Sequence, residues 1–457
     1  MDSNVSAAQS EGSAQAVKPS ALTTRVMTLY AMANIGLFAV DAIFDNYIGM
    51  LYIDHKYITV PILLGIACLI GRTVDAVANP VIGYLSDCSY GPRGKRIPFI
   101  RRGAFPMIIF FILLFFPISK SNSFNFVYTT ICASGMLFFF TYVCAPYNSL
   151  IPALGGTNEE RVKLGTFYTV AGIFGIVIAF VAAGQIVDGL ISYFKASGRP
   201  GDSHYAYSAM ALITGAFSLF VIYVTALTVK EKPCPIENRV TLSFRESFVP
   251  SLKNPLFILY AVSISSFWIG FKTLQTSVNF ICKYVFGKSE AYGSIVGFGG
   301  MIAVMLIATP FVFFLQKKFG KKALFAGALL LISIISFAQG FIGVVPKSYG
   351  LYFYIGMIFL FGIPFSAMQV LFSAIISDII DSDEKETGVR REAMYFGMEG
   401  FVSKLARGGG WVVVTALFQI FGTPSPANHT AMIVAGPVCG VFAFAGFLAF
   451  TRYPIKY

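Results

Sequence analysis

Eight charged side chains lie inside stretches that are otherwise oily enough to cross a lipid bilayer: Asp41, Asp45, Arg72, Asp75, Lys272, Glu399, Lys404 and Arg407. Placing one charge in hydrocarbon costs roughly 3 kcal/mol on insertion scales. That cost falls when the charges face one another or a polar cavity. Four acids and four bases can form a neutral set of ion pairs. The chemistry they offer is reversible binding of a proton or a cation at a carboxylate, and electrostatic capture of a solute. The expectation is a transporter with a charged central site.

The spacing within each segment sharpens this. Arg72, Asp75 and Asn79 stand three and four residues apart, so they share one helix face. Asp41 and Asp45 lie one turn apart, and two acids that close repel unless one is protonated or both face a cation. Lys272 has Gln275 one turn further on. Glu399, Lys404 and Arg407 precede the run Gly408 to Gly410, which lets helices pack closely or bend. Asp41, Asp45 and Lys272 could form the polar part of a substrate site with Gln275 and Glu399, or a salt bridge closing one side of the molecule.

These side chains need long apolar helices to hold them. The chain has 457 residues, is 56% hydrophobic and only 12% charged, and its mean hydropathy is +0.72. Twelve apolar stretches of membrane-spanning length are centred near Phe38, Cys68, Ile109, Phe138, Phe174, Thr214, Ile264, Ala303, Leu331, Phe361, Val413 and Val441. The net charge of +12 follows the topology rather than a nucleic-acid partner. With the N-terminus inside, 23 of the 34 Lys and Arg fall in inner loops and tails and seven in outer loops; the remaining four are the intramembrane bases. The asymmetry predicts both termini in the cytoplasm, in a plasma (inner) membrane.

Residues 1–23 read as a disordered tail, and 230–253 as a cytoplasmic linker that could form a surface amphipathic helix. The linker separates bundles over 24–229 and 254–457. The halves look like repeats: GYLSDCSYGPRGKRIPF (Gly83 to Phe99) in the first, FFLQKKFGKKALF (Phe313 to Phe325) in the second. Asp87 with Arg96 could act there as a clamp between helices. The seven cysteines and three histidines show no metal-ligand spacing, and no GxxxxGK[ST] loop appears, so a metal centre, an enzyme and an ATP-driven pump are all disfavoured.

RTVDAVANPVIGYLSD (Arg72 to Asp87), the RGKRIPFI after it, and SDIIDSDEKETGVRREAMYFG (Ser377 to Gly397) resemble the glycoside–pentoside–hexuronide cation symporters of the major facilitator superfamily, and more distantly its lysolipid symporters. The resemblance covers nearly all the chain beyond the tail. It implies an all-α membrane protein of twelve transmembrane helices, in two pseudo-symmetric six-helix bundles around a central cavity, working by alternating access as a monomer. The family's cation site maps onto Asp75, Asn79 and Thr141, with Lys404 nearby; Asn79 replaces a second acid. Na⁺ coupling, H⁺ coupling and no coupling all stay open, and no other cofactor is implied. Arg72 and Arg407, with Asp87 and Arg96, are assigned to gating. The family's sugar-binding pattern meets Phe38, Cys144, Asn148 and Tyr168, where an acid, an arginine and a stacking ring are expected. The substrate is therefore expected to be a small organic solute, or an amphiphile, other than a simple glycoside. Membrane lipids are its surroundings. The rival readings are a lysolipid carrier, a proton-driven exporter, and a non-transporting receptor or assembly factor.

Overall fold

The computed structural model describes residues 23–87, 89, 94–155, 157–231, 254–289, 292–388 and 392–453. The tail, most of the linker and the side chain of Asp87 lie outside the described parts, so the clamp expected at Asp87 and the amphipathic helix expected in the linker do too.

Among the described residues twelve helices are long and apolar enough to cross a membrane, and each contains one of the centres read from the sequence. They are α1 Thr24–Asp54, α2 Pro61–Ser86, α3 Ile97–Leu114, α4 Asn122–Leu154, α5 Glu159–Ala196, α6 Asp202–Thr228, α7 Pro255–Val285, α8 Gly293–Phe319, α9 Lys321–Gly343, α10 Tyr349–Thr387, α11 Met394–Phe421 and α12 Thr430–Thr451. Helices dominate because a chain without access to water must satisfy its backbone within each segment. Caps appear where the chain emerges: Thr157 accepts from the Glu160 N–H, and Asn254 accepts from Leu256 and Phe257 ahead of Pro255.

The packing repeats. In the first half α1 packs on α5 and α6, α2 on α4, and α3 on α4 and α6. In the second, α7 packs on α11 and α12, α8 on α10, and α9 on α10 and α12. Adding six to each helix number converts one set into the other, the signature of a duplicated six-helix unit.

The two bundles meet mainly along α2 and α11, and that seam is uneven. At one end a Cβ on Gly65 would strike the Thr415 hydroxyl and lie 2.9 Å from the Trp411 carbonyl oxygen. Midway, a Cβ on Gly408 would lie 2.9 Å from Leu69. Further along, a Cβ on Gly400 meets only Asn79, at 3.5 Å, and Gly83 and Gly397 have nothing within 4 Å. Small residues permit the close half of the seam, and the other half splays apart.

The tight end is bolted by polar contacts between bundles. Asp54 of α1 pairs with Lys283 of α7 at 2.5 Å and accepts from the Tyr284 hydroxyl. Deeper in, Asn46 donates to Ser294 of α8 at 2.8 Å and accepts from Asn279 of α7 at 3.0 Å. Phe180 of α5 stacks on Phe298 of α8, with centroids 5.0 Å apart. Beside Asp54, burial lowers the His55 pKa to about 4, so His55 adds no imidazolium there at neutral pH. Among the described residues four π-helical turns lie in these same helices: Met50–Asp54, Ile178–Ala182, Ile281–Val285 and Gly293–Gly299.

At the splayed end, Arg96 meets Glu231. The Glu231 carboxylate accepts the Arg96 backbone N–H at 2.7 Å and lies 3.8 Å from its guanidinium. Arg96 lies in the first half and Glu231 at the start of the linker, so this contact ties the start of α3 to the chain after α6. In the second half, Lys321 and Asp378 form a 2.6 Å pair that joins α9 to α10.

Candidate functional site

The intramembrane charges converge where the seam begins to open. Arg72 is almost fully buried and is the hub. Its guanidinium lies 2.9 Å from Asp41, 3.0 Å from Asp45 and 3.6 Å from Asp75. Helical spacing explains the geometry: Asp41 and Asp45 stack one turn apart on α1 and face α2, while Asp75 is three residues from Arg72 on the same face. The repulsion expected between the helix 1 acids is answered by the one guanidinium between them. The Phe44 ring lies 5.4 Å from the same group.

Two lysines from the second bundle reach into this cluster. The Lys272 ammonium lies 3.3 Å from the Asp45 carboxylate and donates to the Asp45 carbonyl at 2.9 Å. It also donates to Gln275 at 3.3 Å and sits 4.5 Å from the centre of the Trp411 ring, whose indole N–H donates to Asp45 at 3.4 Å. The Lys404 ammonium donates to Asp75 at 2.8 Å and to the Thr141 hydroxyl at 2.9 Å, while Thr141 also donates to the same Asp75 oxygen. Asp75, Thr141 and Lys404 therefore meet at one point, with Asn79 one turn along α2. The Lys404 ammonium stands against the two oxygens that the sequence offers as cation ligands.

A cavity of about 210 Å³ opens next to the cluster, lined by both bundles. Its wall is written in a recurring spacing: Phe38, Asp41, Ala42 and Asp45 on α1; Trp268, Phe271, Lys272 and Gln275 on α7; Phe298, Met301, Ile302 and Met305 on α8. Each set is i, i+3, i+4, i+7, one helix face. Ile173, Ile176 and Phe180 of α5, Phe365 and Gln369 of α10, and Arg407 of α11 complete it. The Arg407 guanidinium lies 4.1 Å from the centre of the Trp268 ring.

Of the residues singled out in the sequence, Asp41, Asp45, Lys272, Gln275 and Arg407 line this cavity. Arg72, Asp75, Thr141 and Lys404 form the ion-paired floor beside it. Glu399 sits two turns before Arg407, where its carboxylate accepts from Ser403 at 2.6 Å. Cys144, Asn148 and Tyr168 are placed elsewhere. The Asn148 amide donates to the Cys144 sulfur at 3.6 Å, and the Tyr168 carbonyl accepts from Asn34 at 2.7 Å. The Tyr168 ring meets Phe38 edge-on at 6.4 Å. The aromatic wall and Gln369 were not anticipated. Trp268 and Phe271 could have been found from their spacing to Lys272. Phe365 and Gln369 share no helix with an intramembrane charge that marks the face. Among the described residues no cluster of His, Cys, Asp and Glu could hold a metal ion.

Known proteins support the same architecture. The chain is 23% identical to an isoprimeverose transporter of Lactiplantibacillus pentosus, across 88% of this chain and 80% of that one. It is 26% identical to an uncharacterized symporter of Bacillus subtilis (strain 168), across 90% and 88%. A solved structure of a bacterial homolog to the human lysosomal transporter Spinster, inward-facing and occupied, superposes with a TM-score of 0.68 at 15% identity, covering 93% of this chain and 96% of that one. The family model described as MFS/sugar transport protein matches residues 29–457. The twelve repeated helices, the charged floor and these likenesses agree: this chain belongs to the major facilitator superfamily, in its glycoside–pentoside–hexuronide symporter branch, and is an integral membrane secondary transporter.

Proposed function

We propose that the chain moves a small organic solute through the central cavity by alternating access, driven by a cation whose coupling carboxylate is Asp75. The observation that carries this reading is the Lys404 ammonium bridging Asp75 and Thr141. A mobile cation and Lys404 compete for one buried carboxylate. When the cation wins, Lys404 leaves a first-bundle partner, and the bond between the bundles at that point is gone. Arg72 touches Asp75 on one side and the cavity aspartates on the other, so solute binding and cation binding act on one guanidinium. The splayed end carries the basic loops, which favours a cytoplasm-facing conformation with both termini inside, in a plasma membrane. H⁺ and Na⁺ both suit a single carboxylate supported by an amide and a hydroxyl.

The test is the thermal stability of the purified protein against sugars, glycosides, organic acids and lysolipids, each in Na⁺ and in K⁺ buffer. A ligand of the folded state raises the melting temperature by mass action. A solute whose shift grows in Na⁺, and loses that growth in Asp75→Asn, supports Na⁺ coupling. A shift independent of Na⁺ but dependent on pH and on Asp75 supports protons. A solute that binds and accumulates equally well in wild type and Asp75→Asn overturns the coupling role.

A further inference from the structure

Pairing the charges in the cavity wall leaves one cation without a direct carboxylate partner. Asp41 and Asp45 lie against Arg72, and Asp45 also lies against Lys272. Two acids and two bases are thereby neutralised. Arg407 is the remaining ionic group in the wall. Among the described residues no carboxylate stands within ion-pair distance of it, and its Nε is buried without a hydrogen-bond partner. Glu399 is on the same helix but eight residues away, about 12 Å along the axis, and its carboxylate is engaged by Ser403.

The setting of Arg407 also points to a ligand. Trp268 lies under the guanidinium at 4.1 Å, which restricts its motion and strips water from that side. A guanidinium held this way presents a rigid fork that suits the paired oxygens of a carboxylate, sulfonate or phosphate. A half-buried positive charge whose Nε is without a hydrogen-bond partner, set in a largely apolar wall, gains when an anion joins it. The rest of the wall fits an organic body: Phe38, Phe271 and Phe365 offer ring faces, while Gln275 and Gln369 offer amides for hydroxyl or amide groups.

We propose that Arg407, backed by Trp268, is the anion-binding end of the cavity, and that the transported solute carries an acidic group on an organic body. The proposal rests on the transport reading and narrows its substrate class. A neutral sugar gives the Arg407 guanidinium no anion to pair with directly; an acidic solute does. It also gives Arg407 a role in recognition rather than gating.

The test uses matched pairs that differ in the acid alone: glucose and glucuronate, 4-nitrophenyl glucoside and 4-nitrophenyl glucuronide, benzyl alcohol and benzenesulfonate. Binding to the purified full chain is followed by melting temperature and by tryptophan emission, since Trp268 is one of only two tryptophans. The expected result is that the acidic member of at least one pair binds at least tenfold more tightly than its neutral partner. Arg407→Gln removes that preference, and Arg407→Lys keeps most of it. Ligand-free melting curves establish that both variants fold. If a neutral member binds as tightly as its acid, or Arg407→Gln retains the preference, the anion subsite is wrong while the transport reading stands. If no acidic member binds, the anion subsite is likewise withdrawn. The transport reading is judged separately by solute uptake into vesicles.

Discussion

Lys272 and Lys404 of the second bundle both cross to carboxylates of the first within the charged cluster, and they are held in opposite ways. Lys272 is caged, with its side chain 1% exposed and contacts to the Asp45 carboxylate, the Asp45 carbonyl, Gln275 and the Trp411 ring. Lys404 is 20% exposed, and its contacts are to one carboxylate and one hydroxyl. Lys272 sits toward the tight end of the α2–α11 seam and Lys404 toward the splayed end. The same type of ion pair can therefore be a strut in one place and an exchangeable contact in another, and solvent access decides which. In the transport cycle proposed above, a cation arriving from water displaces Lys404, whereas displacing Lys272 requires the bundles to move.

The strut is where the largest effect is expected. Lys272→Ala leaves a buried carboxylate short of one cation and opens space under Trp411. Breaking one side of a buried pair costs about 3–5 kcal/mol. The variant should melt well below wild type and lose essentially all uptake. Near-normal melting would place Lys272 with the exchangeable contacts. The charge swap Asp45→Lys with Lys272→Asp is the next strongest probe. A simple two-residue bridge would be restored, but here the new lysine faces Arg72, now 3.0 Å from its aspartate partner. Uptake should stay below a tenth of wild type, and recovery would show that Arg72 contributes little.

On the exchangeable side the effects are smaller and more selective. Asp75→Asn should abolish cation-driven accumulation while leaving solute exchange at equilibrium within about threefold, measured in vesicles. Lys404→Ala removes the internal competitor. It should lower stability by about 2–3 kcal/mol, because the Asp75 carboxylate left behind is fully buried and its remaining cationic contact is the longer one to Arg72. It should also raise the apparent cation affinity several-fold in melting experiments. Unchanged affinity would mean that Lys404 does not compete. The smallest change is expected from Lys283→Gln at the tight end. It removes the ion pair to Asp54 but leaves the Tyr284 hydroxyl and the Asn46–Ser294–Asn279 group in place. Uptake should fall by no more than about threefold.

The helices were legible because hydropathy over twenty residues is a strong signal, and each expected centre lies in a described span. The grouping of Arg72, Asp75 and Asn79 on one face was legible too, since it depends on local spacing alone. That Arg72 takes both acids of α1 was not, because it depends on the rotation of one helix against another. The cavity wall was hidden for a different reason. With 47 phenylalanines in the chain, one at Phe365 looks the same whether it faces lipid, a neighbouring helix or a solute. Cys144, Asn148 and Tyr168 were carried over from a family pattern, and small differences in helix packing suffice to place them off the wall described here.

The four π-helical turns have a consequence for how the bolted end lets go. A π-turn holds one residue more than the α-helical turn it replaces. When a helix absorbs or releases such a turn, everything beyond it swivels by about 100°. Asp54 ends the π-turn of α1, and Lys283 and Tyr284 lie within that of α7. A swivel there re-aims all three side chains without sliding a whole helix through the membrane. The same chain can thus unlatch at its far end by rewinding a few hydrogen bonds, while the charged floor beneath stays in register.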